Sequence, residues 1–293
     1  MPSKHNLCTV FAGSVLFILS IIALAINHFI YKYQGNNYFP SNTLPIALLL
    51  FLALAGSYLQ FGKQSIAVKI SREIIFYFIV MSLIALATNA IQYTPFTPID
   101  EKIINLEQAI HVNVPDILHW TLQHDVVTGV LVWVYDSLPY QMSLIPVFVI
   151  LMRRFSYVRE YYCLLLITAL IGFSIYYFYP TVAPASSFKN PVFSESQLAT
   201  GLKFNQIHQN IPPSTIEGGL IAFPSFHAIW AWLCLYLLRS WPIVFFLLLP
   251  VTVTLILSCV LLGWHYPLDL IASLIIVLMS HWFCAFCGRF KHA

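Results

Sequence analysis

His265 and Asp269 stand four residues apart in Trp264-His265-Tyr266-Pro267-Leu268-Asp269, and a second histidine closes Phe223-Pro224-Ser225-Phe226-His227. Histidine titrates near neutral pH, so it can attack as a nucleophile or exchange a proton with a leaving oxygen. A carboxylate one helical turn away can fix the tautomer and support the imidazolium that develops. Cleaving a phosphate ester without a metal or other cofactor needs these parts, together with positive potential around the phosphoryl oxygens. Pro267 and Pro224 each suit the start of a helix, where no N–H partner is required. Two helix starts are therefore expected to turn free N–H groups toward one place, with the Ser225 hydroxyl adding a further hydrogen bond. That arrangement would cradle a phosphate with little need for charged side chains.

Each pattern alone is weak: H-x-x-x-D and P-S-x-H both occur by chance. Two other readings compete, a satisfied structural pair and metal ligation by His227, His265 and Asp269, although no further histidine has comparable placement. Their occurrence together, at successive helix starts on one face, favours catalysis.

The elements that must position these residues follow from composition. The 293-residue chain is 59% hydrophobic and 9% charged, against about 25% charged in ordinary soluble domains. Apolar runs recur at about 8–30, 44–61, 74–93, 138–152, 162–180, 220–238, 242–263 and 266–285. These mark a polytopic all-α membrane bundle. The fourth run is short for a span and can begin earlier, near Val126. The six cysteines lie in or beside the runs, so they read as apolar filling, the Cys284-x-x-Cys287 pair included. Lys4 and the run ending Ala23-Leu24-Ala25 imitate a signal peptide, but the run continues to Tyr31 and a retained helix is expected.

Eight crossings put both termini on one side. One set of loops then holds Lys4, Lys63, Lys69, Arg72, Arg153, Arg154, Arg159, Arg239, Arg289 and Lys291, and the other only Lys32, Lys102, Lys189 and Lys203. Ten cations against four assign the first set to the cytoplasm, so both histidine strings face outward. Two outward segments are long. Residues 94–137 carry Ile99, Ile103, Leu106 and Ile110 at helical spacing among Asp100, Glu101, Glu107 and His111. They read as interfacial helices that either border the site or form a plain cap. Residues 181–219 are polar, and their lysines, Lys189 and Lys203, are candidate phosphate contacts or solvated surface residues.

In order, Tyr179-Pro180-Thr181-Val182-Ala183-Pro184, Phe223-Pro224-Ser225-Phe226-His227 and His265-Tyr266-Pro267-Leu268-Asp269 resemble the type 2 phosphatidic acid phosphatase superfamily. More narrowly they resemble its branch of inositol phosphorylceramide and sphingomyelin synthases. The resemblance covers roughly 74–285 and implies a six-helix core, with a transmembrane pair in 1–72 added to a catalytic region in 73–293. It implies that His265 is the nucleophile of a phosphohistidine intermediate and that Asp269 orients it. His227 would be the acid that protonates the leaving group and later the base for the acceptor. Ser225 would bind phosphate, with Tyr179, Lys189 and Lys203 as further substrate contacts. The implied substrate is a lipid phosphate or phospholipid, with water, an alcohol or a second lipid as acceptor. No nucleic-acid partner is expected.

The chain departs from the family pattern in two places. Cys259 follows Ser258 where an arginine precedes the nucleophilic histidine by six residues, and no K-x6-R-P motif is found. Fewer cations disfavour a dianionic monoester relative to a monoanionic diester, which points toward a transferase. The setting expected is a bacterial inner membrane with the site facing the periplasm. The rival readings are a transporter using the histidines and Asp269 as a proton relay, and a lipid-binding relative without activity.

Overall fold

A computed structural model describes the backbone of residues 6–289 and the side chains of residues 6–286. Lys4, Lys291 and the side chains of Cys287 and Arg289, used above, lie outside the described residues. The chain runs through α1 (Asn6–Ile26, extended by a π-helical turn at Asn27–Tyr31), α2 (Thr43–Phe61), α3 (Ile66–Ile91), α4 (Asp100–Ala109) and α5 (Val114–Leu122). It continues with α6 (Asp125–Asp136), α7 (Leu138–Leu151), α8 (Phe155–Phe178), α9 (Ala183–Phe188) and α10 (Glu195–His208). The last three are α11 (Phe226–Leu237), α12 (Pro242–Leu261) and α13 (Pro267–Arg289). Among the described residues there is no strand, so the expected all-α membrane bundle is observed.

α8 is the hub. Residues 161–169 are buried all around the helix, as expected of a helix enclosed by others, and α1, α3, α7, α11 and α13 all pack against it. α1 contributes Cys8, Ala12 and Leu16 to this core. α2 leans on α3 and buries no residue within the protein, so its apolar surface is left for lipid. At the end of the bundle away from the histidines, Arg159 pairs with Glu73 at 2.5 Å and Arg239 pairs with Glu160, fastening α8 to α3 and to α11.

Six helices are long and apolar enough to cross a membrane. α6 and α7 together would make a seventh span, bent by 46°. Taken as one span, the pair would begin at Asp125, beside the Val126 expected above, and Pro139 accounts for the bend. It has no N–H for the carbonyl of Tyr135, one turn earlier, and its ring crowds that carbonyl. The run expected as a span over 220–238 is a correction: its helix begins only at Phe226 and is 12 residues long. Ser225, in an extended conformation, is the N-cap that fixes this start, its hydroxyl accepting from the Ala228 amide at 3.4 Å.

The outward segments form a second, smaller core over this end. Ile103 of α4, Val114 and Leu118 of α5, Ala185 and Phe193 pack around Tyr266. The interfacial helices therefore border the site and are not a detached cap.

Candidate active site

Three pieces of local structure bring the two histidine strings together. α12 ends at Leu261, and Gly263 reverses the chain with φ +73°. A side chain there would also stand 2.9 Å from Leu118 and from Phe193, so glycine is required on two grounds. The His265 amide then donates back to the Cys259 carbonyl at 2.9 Å. On the other string, the Phe223 amide donates to Thr181 Oγ1 at 2.9 Å. Gly172 of α8 lets Pro224 and Phe226 approach closely: a Cβ there would lie 2.6 Å from Phe226 Cζ.

His265 is 3% exposed and Asp269 is 0% exposed. His265 Nδ1 lies 2.8 Å from the Ala222 carbonyl and 3.1 Å from Asp269 Oδ2. The carbonyl can only accept, so Nδ1 carries the hydrogen and Nε2 keeps a free lone pair. Burial pushes His265, in the connection between α12 and α13, down to about 4, which keeps the imidazole neutral near pH 7. Asp269 Oδ2 also accepts from the Tyr266 amide at 2.9 Å, while Oδ1 is buried without a hydrogen bond. A carboxyl left half-satisfied in the interior costs stability. The ring of His227, half-buried at the start of α11, lies 6.2 Å from that of His265 at 57°.

Two acidic residues of α4 complete the surroundings of His265. Asp100 accepts from the Tyr266 hydroxyl at 2.9 Å and from the Val182 amide at 2.9 Å. Glu107 accepts from the Leu268 amide at 2.9 Å. Burial pushes both carboxyls above their usual range. These residues were visible in the sequence as part of an amphipathic helix, but nothing there tied them to the site.

This corrects the expectation that both helix starts offer free N–H groups. At α13, Pro267 has none, Tyr266 donates to Asp269 and Leu268 donates to Glu107. The carboxylates occupy the donors an anion would use. At α11 the Phe226 and His227 amides have no acceptor among the described residues, as the first amides of a helix lack internal partners. The anion-binding capacity therefore lies at α11.

Ser225 is buried at that start, near the Cys259 thiol that stands where the family places arginine. The other expected contacts sit elsewhere. Lys203 is neither solvated nor free: it is 1% exposed and donates to the Gly218 carbonyl at 3.1 Å and that of Ile216 at 3.4 Å. Burial pulls it down to about 8. Lys189 is exposed in a left-handed conformation at the end of α9, and Tyr179 is exposed at the end of α8. Among the described residues, no hydrogen bond joins these three to His227, His265, Asp269 or Ser225.

No curated protein and no solved structure matches the chain. Residues 101–283 match the family model described as the PAP2 superfamily, the type 2 phosphatidic acid phosphatases that the motifs resemble. The match spans α4 to α13, takes in both histidine strings and the acidic helix that braces the second of them, and covers more than half of the chain. On that extent of agreement, this protein belongs to the PAP2 superfamily.

Proposed function

We propose that this protein transfers a phosphoryl-type group from a membrane lipid through a phosphohistidine on His265, at a site facing away from the cytoplasm. The observation that carries the reading is the pair of acceptors on His265 Nδ1, the Ala222 carbonyl and Asp269. They leave Nε2 as the nitrogen free to attack, while His227 stands across from it. In the first step Nε2 bonds to phosphorus as the ester P–O bond breaks, and His227 gives its proton to the departing oxygen. Asp269 offsets the charge gained by the imidazole. In the second step His227 takes the proton of an entering hydroxyl, whose oxygen bonds to phosphorus as the P–N bond breaks. The amides opening α11 would hold the phosphoryl oxygens in both steps.

The donor favoured is a monoanionic phosphodiester, and the acceptor an alcohol, as in the synthase-like branch. The support is the scarcity of positive charge: Cys259 replaces the family arginine, and Lys203 is committed to carbonyls. A groove of about 700 Å³ lined by Ile117, Trp120, Leu257, Val260, Pro267 and Leu270 runs beside the start of α13 and suits lateral entry of an acyl or prenyl chain. The experiment is product analysis by mass spectrometry, with purified protein and its His265→Ala variant incubated in a mixed lipid extract. A new lipid that depends on His265 identifies donor and acceptor together. A dephosphorylated lipid with free phosphate makes the enzyme a phosphatase. Absence of any His265-dependent product from folded protein would shift the reading to transport or passive lipid binding.

A further inference from the structure

His265 and His227 are held in opposite ways. His265 is oriented by two hydrogen bonds on one ring nitrogen. Neither ring nitrogen of His227 makes a hydrogen bond among the described residues, although helix α11 fixes its backbone. Backbone placement alone does not set an imidazole plane, because the terminal torsion of histidine is broad. What does meet His227 is a stack of rings. Tyr135, in the last turn of α6, lies 4.4 Å from the His227 ring with 7° between the planes. Trp264, the residue before the nucleophile, backs Tyr135 at 5.7 Å and 6°. Three elements distant in sequence thus contribute three parallel rings, and one face of His227 is covered.

We propose that Tyr135, backed by Trp264, is a positioning residue that sets the plane of His227 for proton exchange with the leaving and entering oxygens. This rests on the reaction proposed above. A group that first gives and then takes a proton needs a ring nitrogen unoccupied at each stage, so orientation by hydrogen bonding would compete with its task. Contact through the ring face orients it and leaves both nitrogens free. The bend after α6 separates the two helices: Pro139 ends the regular hydrogen bonding just beyond Tyr135, so α7 packs along α11 while α6 packs on α12 and brings Tyr135 to His227 from its last turn.

The test uses two diesters in detergent micelles, dioctyl phosphate and octyl p-nitrophenyl phosphate. The first expels an alkoxide that needs a proton; the second expels a nitrophenolate that does not. Tyr135→Leu is expected to lower kcat on dioctyl phosphate about 100-fold and on the nitrophenyl ester less than about 3-fold, with KM unchanged. Tyr135→Phe should stay within about 2-fold of wild type, since the ring is kept. In a His227→Ala background, Tyr135→Leu should have no further effect. Equal losses on both esters, or additive losses in that background, would make Tyr135 merely structural. A readout that needs no turnover is the rate of His227 modification by diethyl pyrocarbonate, followed by peptide mass spectrometry. Tyr135→Leu should raise it about 5-fold and Tyr135→Phe leave it unchanged, as expected for uncovering one ring face. An unchanged rate in Tyr135→Leu overturns the orienting stack. A wild-type protein that cleaves neither ester overturns the reaction, and with it the proton-transfer role, while the modification rates still decide whether the stack covers His227.

Discussion

The starts of α11 and α13 face each other across the candidate site and are built on different principles. α13 is held by hydrogen bonds to carboxyl groups: Asp269 takes the Tyr266 amide, Glu107 takes the Leu268 amide, and Asp100 holds the Tyr266 hydroxyl. α11 is held by shape: Pro224 and Phe226 fill the space left by Gly172, and Phe226 packs on Phe173 at 4.6 Å. The consequence is a division of labour. A helix start whose donors are taken by carboxylates repels an anion but suits a nucleophile that must become a cation. A start whose amides remain free suits the anion itself. In the proposed reaction the nucleophile stands at the first and the phosphoryl group at the second, so attack would run from one helix start to the other.

The sharpest way to break this comparison is Asp269→Asn. It retains the shape of α13 but removes the charge, and kcat should fall by about 10²–10⁴-fold while the protein stays folded. A fall of less than about 3-fold would reduce Asp269 to a cap, below the range seen for orienting carboxylates.

Glu107→Ala tests the outer half of the same start. It leaves the Leu268 amide without its acceptor, a destabilisation of about 1–3 kcal/mol, and frees a donor near the wrong histidine. Thermal unfolding should register the loss, and Glu107→Gln, which keeps a carbonyl acceptor, should recover most of it.

Gly172→Ala is the matching test at α11. Alanine favours a helix interior by up to about 1 kcal/mol, yet its Cβ would press on Phe226, which is buried between Phe173 and Trp230. Overpacking should prevail, with a net loss of about 1–2 kcal/mol and reduced turnover from a displaced His227. A stabilised, fully active variant would show that shape does not hold this start.

The smallest effect concerns Lys203, which serves neither start. Its folded-state value near 8 lies below its ordinary 10.5. Between these values the unfolded chain binds the proton and the folded chain does not, so stability should rise with pH from about 8 toward 10. Lys203→Met should flatten that rise in the unfolding midpoint; an unaltered slope would assign it to another group.

Much of this arrangement is legible in the sequence. Hydrophobic runs mark the bundle, Pro267 marks the start of α13 and Pro224 falls two residues before that of α11, and the four-residue spacing of His265 and Asp269 places them on one turn, because each of these signals is local. The acidic brace and the aromatic stack are not. Asp100 lies 166 residues from Tyr266 and Glu107 161 residues from Leu268, and Tyr135 sits on a different helix from His227. Read in isolation, Asp100 and Glu107 are the polar face of an amphipathic helix, and Tyr135 is one aromatic residue among many in an apolar run.

By itself, then, the sequence determined the membrane class and the family motifs, and it set His265, Asp269 and His227 at the spacing on which their proposed roles rest. These depend on residue type and short spacing, which the chain carries wherever it folds. Only the tertiary structure decided which helix start keeps its amides free, that Lys203 is buried against carbonyls, and which aromatic ring lies over His227. Each of those outcomes is a competition for one donor, one acceptor or one packing surface between segments far apart in the chain, and it is settled only when they meet.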